Sequence, residues 1–145
     1  MPKNPEHEFG HLWEYPLRSV CTISTHDMAT LRGWWEEDPE LTARYYNHVL
    51  GHWGEVPATA PGEVCEEIIR QHLQCPSLLA ILSFQDWLSM DEELRYPDAN
   101  AERINVPANP RHYWRYRMHL TLEDLMKSHK FNEKMRGMID ETNRY

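Results

Sequence analysis

The spacing of apolar residues divides this chain into short blocks with different periods. SVCTIS (19–24) is rich in β-branched and small residues and predicts a short strand that ends in the turn STHD (24–27). TLRGWWEED, which follows, reads as a loop. In DPELTARYYNHVLG, Asp38 takes the N-cap position, Pro39 the first helical position and Gly51 the stop, which predicts a helix. After Pro61, VCEEIIRQHLQ places Val64, Ile68 or Ile69, and Leu73 at close to helical spacing, and Pro76 ends the run. SLLAILSF (77–84) is an unbroken apolar run of strand length, as expected of a parallel strand covered on both faces by helices. Near the end, Thr121 and Asp124 form a capping-box pattern, and LEDLMKSHKFNEKMRGMIDE predicts a single amphipathic helix.

Strand, helix, helix, strand is the order of a βα crossover unit. STHD and FQDW should therefore lie at equivalent carboxyl ends of neighbouring strands, where α/β folds gather their chemistry. The first stretch, PKNPEHEFGHLWEYPLRS, reads as an irregular arm. Between Asp91 and Met118 lies a polar, proline-punctuated loop whose aromatic residues argue for order. Two parallel strands expose edges that need partners. The expected class is α/β, in the form of the closing section of a larger barrel that is incomplete on its own.

At 145 residues with 41% hydrophobic positions, the chain is the size of one ordinary domain and has enough apolar content for a core. Its net charge of −8 argues against a nucleic-acid partner. RHYWRYR (111–117) does interleave basic and aromatic residues as single-strand platforms do, but it is one short run on an acidic chain. No apolar run approaches the roughly 20 residues of a membrane span, and MPKNPEHEFGH lacks the apolar core of a signal peptide, so a cytoplasmic location is expected. Cys21, Cys65 and Cys75 include no closely spaced pair and read as free, mostly buried thiols. Six Trp and seven Tyr against three Phe suit sugar surfaces, although most such residues pack in cores.

His26 and Asp27 together offer a polyol two hydrogen bonds and one negative charge. By themselves they cleave nothing. STHDMATLRGWWEED, FQDWLSM and ERINVPANPRHYWRYRM, in this order and at these separations, resemble the C-terminal region of the amylomaltases, the 4-α-glucanotransferases of glycoside hydrolase family 77. The wording THDMATLRGWW and INVPANPRHYW is most similar to the disproportionating-enzyme branch, and the match covers nearly the whole chain, 1–145.

The resemblance implies a (β/α)8 barrel that contributes its last two strands and C-terminal helix here. It also implies an α-1,4-glucan or maltooligosaccharide substrate and no cofactor or metal. Asp27 matches the third catalytic carboxylate, which holds the donor ring while charge develops. His26 matches the neighbouring sugar-binding histidine, and Asn105 an asparagine associated with sugar binding beside the cleavage point. A retaining transglycosylase needs a nucleophile and an acid/base carboxyl about 5 Å apart. In the family both lie on earlier strands, upstream of this chain, and no local pair here replaces them. The chain is therefore expected to be an inactive portion of such an enzyme, partnered by the upstream half of the same barrel. The alternative is a non-catalytic glucan-binding or interaction domain derived from it.

Several residues carry a plainer interpretation beside the chemical one. Asp27 could bond its own backbone at a strand-end turn, and His26 could be a packed imidazole. His48 and His52, at i and i+4, could share a metal, but no third ligand is evident. Trp34 and Trp35 stack on glucose rings or pack the loop, and Tyr113, Trp114 and Tyr116 line a groove or cement the long loop. Gln85 and Asp86 position active-site neighbours or serve as structural hydrogen-bonding groups.

Overall fold

A computed structural model of the chain describes residues 7–144. Two strands, β1 (Val20–Cys21) and β2 (Leu79–Ala80), pair in parallel with Val20 opposite Leu79 and Cys21 opposite Ala80. The pairing continues past the strand ends through Leu78 N to Leu17 O at 2.7 Å and Ile81 N to Cys21 O at 2.9 Å. Between the strands run α1 (Leu31–Glu37), α2 (Pro39–His48) and α3 (Gly62–Gln74). After β2 come α4 (Phe84–Leu88), a 3₁₀ turn at Ala99–Glu102, α5 (Leu122–Lys127) and α6 (His129–Glu141). The expected crossover unit and parallel neighbours are present.

The helix signals acted as their chemistry requires. Asp38 Oδ1 accepts from Glu40 N and Leu41 N at 3.1 and 3.0 Å, and Gly51 takes φ +73° just past α2. The core is built on α3, whose Val64, Cys65, Ile68, Ile69 and Leu73 are buried. They belong to one cluster with Leu31 and Trp35 of α1, Leu88 of α4, and Phe131 and Met138 of α6. Gly62 opens α3 at a point of close approach. A Cβ there would meet the Met90 carbonyl oxygen at 2.9 Å, and its N–H donates to Glu92 Oε1 at 2.7 Å.

Three expectations change. TLRGWWEED is not a loop, because Thr30 caps α1 by accepting from Gly33 N at 3.3 Å. The single terminal helix is two: the Ser128 hydroxyl donates to Asp124 O at 2.8 Å, and the Asn132 carboxamide takes Leu125 O at 2.7 Å. Side-chain donors thus occupy carbonyls at the junction of the two helices, which breaks the run. The separate α6 presents Phe131, Met135 and Met138 to the core, while Leu122 and Met126 of α5 stay exposed. The capping box of Thr121 and Asp124 is formed as the pattern predicts. Finally, the second strand is shorter and less covered than its apolar run predicts: of residues 77–84 only Leu79–Ala80 pair as strand, and Phe84 already opens α4. Cys21 is buried, whereas Val20, Leu78, Leu79 and Ile81 are each more than half exposed, at 54%, 65%, 52% and 59%. No helix among the described residues is long and apolar enough to cross a membrane.

Candidate functional site

The STHD turn is held from below by a buried carboxylate. Asp86, on α4 just past β2, is fully buried; its Oδ2 accepts from Ser24 Oγ at 2.5 Å and its Oδ1 from Leu31 N at 2.8 Å. Both flanks of residues 24–31 are thereby tied to α4. Within the turn, Met28 N bonds Thr25 O at 3.1 Å and Asp27 N meets Thr25 Oγ1 at 3.4 Å. Thr25, not Asp27, does the local turn bonding, so the Asp27 carboxylate is left to face outward.

The three residues singled out in the sequence meet at this point. Asn105 Nδ2 donates to Asp27 Oδ1 at 2.7 Å, and Asn105 N donates to His26 O at 3.1 Å. His26 Nε2 lies 3.4 Å from Asp27 Oδ2, with both side chains about half exposed at 55% and 51%. The cluster presents an imidazole, a carboxylate and a carboxamide at the carboxyl end of β1. Such a set can bracket vicinal hydroxyls. It contains one carboxylate, so the two-carboxyl requirement of glycoside cleavage is not met within it. A cleft of about 440 Å³ opens beside Asp27, lined by Met28, Trp34, Glu37, Tyr45 and Arg103 among others.

Residues the sequence did not single out support this arrangement. Arg103 Nε donates to Asn105 O at 3.1 Å, and His112 Nε2 lies 2.9 Å from Ile104 O. Beneath α1, Arg32 and Glu102 form a buried ion pair at 2.6 Å, with Arg32 also donating to Tyr96 O at 2.6 Å and Thr30 Oγ1 to Glu102 Oε2 at 3.1 Å. Burial pushes the Glu102 carboxyl above the usual range, against the pull of the Arg32 guanidinium. That pair carries the Asn105 loop on the back of α1. An adjacent Glu-Arg dipeptide at 102–103 in a polar loop carries no sequence signal distinguishing one buried side chain from one that braces the site.

The remaining candidates separate. Trp35 is buried with Nε1 donating to Pro57 O at 2.8 Å, and Trp34 meets Tyr45 edge-on at 5.2 Å, so both pack. Trp114 is 59% exposed and its ring lies 5.2 Å from that of His26. Tyr113 is exposed beneath the Arg115 guanidinium, and Tyr116 is half-buried. Gln85 is buried and bonds Glu102 O at 3.3 Å, a structural role like that of Asp86. His48 packs on Trp53, and His52 Nε2 lies 2.6 Å from Glu67 Oε2, with no metal grouping of these two among the described residues. The three cysteines are free and buried.

Two parallel strands joined through helices, with His26, Asp27 and Asn105 gathered beyond the carboxyl end of β1, define the chain as an α/β unit. Residues 1–122 match the family described as 4-alpha-glucanotransferase, glycoside hydrolase family 77, and the chain belongs to it. Over 144 residues it is 38% identical to the 4-alpha-glucanotransferase DPE2 of Oryza sativa subsp. japonica, an alignment that covers 99% of this chain and 15% of the rice protein. It is 29% identical over 127 residues to a 4-alpha-glucanotransferase of Chlamydia trachomatis, covering 87% of this chain and 24% of that one. Its fold matches the amylomaltase of Streptococcus agalactiae, solved in complex with acarbose, with a TM-score of 0.63 at 21% identity, over 90% of this chain and 23% of that one. The chain thus spans between about one seventh and one quarter of the length of these proteins.

Proposed function

We propose that residues 1–145 form the C-terminal part of a 4-α-glucanotransferase barrel, with its last two strands and the terminal helices. In the whole enzyme, an α-1,4-glucan or maltooligosaccharide is cleaved and its glycosyl unit passed to an acceptor sugar by a retaining double displacement. Asp27 holds the donor ring as oxocarbenium character develops, and His26 and Asn105 bind its hydroxyls. The nucleophile and acid/base belong to the upstream half of the barrel, so the chain alone turns nothing over.

The hydrogen bond from Asn105 to Asp27 carries this reading, since it joins the two motif segments into one polyol-binding cluster in a member of this family. The exposed strand residues Val20, Leu79 and Ile81 support the missing-partner part, because parallel strands are normally covered on both faces. The test is glucose release from maltotriose by the chain alone and by the chain joined to its upstream half. Turnover by the chain alone defeats the incomplete-site claim. In the joined enzyme, Asp27→Asn is expected to cost on the order of 100- to 1000-fold in kcat; full activity in that variant defeats its assignment.

A second reading, a free-standing glucan-binding domain, is favoured by Trp114 lying exposed beside His26. Calorimetric titration of the chain with maltooligosaccharides decides between them: saturable affinity without the upstream half supports the binding domain.

A further inference from the structure

The arm ahead of β1 holds a group of side chains that the glucan site does not use. His7, His11 and Glu14 each offer a ligand atom, and these atoms all lie within 4.8 Å of one another. The two imidazoles stack with ring centroids 3.9 Å apart. His11 Nδ1 is 3.3 Å from Glu14 Oε1, close to the edge of a tetrahedron of ligands with bonds near ~2.0–2.1 Å, about 3.4 Å.

The intervening backbone is anchored by residues that are not ligands. Glu8 receives a bidentate pair from Arg44 of α2, Nε to Oε2 at 3.0 Å and Nη2 to Oε1 at 2.8 Å. Phe9 packs edge-on against Tyr45 at 5.1 Å. Glu14 N bonds His11 O at 3.0 Å, closing a 3₁₀ turn that brings the carboxylate back toward the imidazole. The backbone between His7 and His11 is thus anchored on α2 through Glu8 and Phe9, and the turn from His11 to Glu14 brings the carboxylate alongside the imidazole.

Two imidazole nitrogens and one carboxylate oxygen suit a borderline divalent ion, whereas magnesium and calcium take oxygen sets. His7 and His11 are half-buried and Glu14 is exposed, which leaves one coordination position open to water. We propose that His7, His11 and Glu14 bind one divalent transition-metal ion of the zinc or cobalt type. The ion clips the arm into the turn that docks on α2. It is a structural site, independent of the glucan chemistry.

The test is a Co²⁺ titration of the 145-residue chain, read by visible absorption, with circular dichroism to check folding. One saturating equivalent is expected, with band intensity typical of a four-coordinate ion, and Zn²⁺ should displace it. His11→Ala and Glu14→Gln are each expected to weaken binding by at least about tenfold, by analogy with the sensitivity of metal sites to their supporting groups. The paired change His48→Ala with His52→Ala should leave it unaltered. Zn²⁺ should raise the Tm of the parent and not of His11→Ala. Absence of saturable binding, or an affinity unchanged in either single variant, overturns the site. Because Glu14 is exposed, Glu14→Gln remains decisive even if His11→Ala fails to fold.

Discussion

Asn105 reaches across 78 positions of sequence to donate a 2.7 Å hydrogen bond to Asp27. This bond aligns the carboxylate, and the Asn105 N–H fixes the His26 carbonyl at the same time. In the enzyme joined to its upstream half, Asn105→Ala should lower kcat on the order of 100-fold, the cost of one oriented donor. Asn105→Asp should be at least as damaging, since it sets two carboxylates against each other. The measurement is steady-state transfer from maltotriose. An unchanged kcat in both variants contradicts the alignment role.

The buried pair of Arg32 and Glu102 sets up a stability test in the chain. Arg32→Met leaves Glu102 without its partner in a site whose burial already disfavours its charge. A loss of about 3–5 kcal/mol is expected, read by urea unfolding. Pairing Arg32→Met with Glu102→Leu should recover most of it, because both charges are then gone.

Gly62 sits against the Met90 carbonyl. Gly62→Ala removes backbone freedom from the unfolded chain, yet its Cβ would lie at 2.9 Å from that oxygen, tighter than van der Waals contact allows. The clash should win, at a net cost of about 1–3 kcal/mol measured by thermal unfolding.

Burial pushes the Cys21 thiol up to about 12 and that of Cys65 to about 11. At pH 8 the reactive thiolate of these two is therefore scarce in the native state, while in denaturant both return toward the ordinary value near ~8.5. An Ellman titration should find these two silent in the folded chain and all three reactive in urea. Rapid native labelling of Cys21 would contradict its packing.

Glu66 joins α3 to α6, accepting from Lys134 Nζ at 2.8 Å and, within α3, from Arg70 Nη2 at 3.1 Å. Lys134 chiefly, with Arg70, holds its carboxyl below the usual range. A carboxylate with a depressed folded-state value stabilises above its unfolded value of about 4.3, and that contribution is lost as pH falls through the folded value. Because the pair is partly solvated, the gain should be under about 1 kcal/mol. Glu66→Gln should remove it at pH 7, and the difference between the two proteins should shrink as pH falls below about 4.3.

Local chemistry made much of this molecule legible in one dimension. Asp38 and Pro39, Gly51, and the capping box of Thr121 and Asp124 act within a few residues of themselves, so their signals survive without knowledge of the fold. The places of the two strands and the STHD turn were legible in their local composition, though not that the second strand shrinks to Leu79–Ala80 and stays half exposed; the family wording singled out His26, Asp27 and Asn105. The break at Ser128 and the capping of α1 by Thr30 were not. Both turn on side chains that compete with the backbone, and the winner depends on which face the core accepts. Only tertiary structure made a partner for Asp27 out of Asn105, a brace out of Asp86, a buried pair out of Arg32 and Glu102, and a cluster out of His7, His11 and Glu14. Hydrogen bonds and ion pairs act over about 3 Å of space and ignore distance along the chain, so nothing in the order of residues announces them.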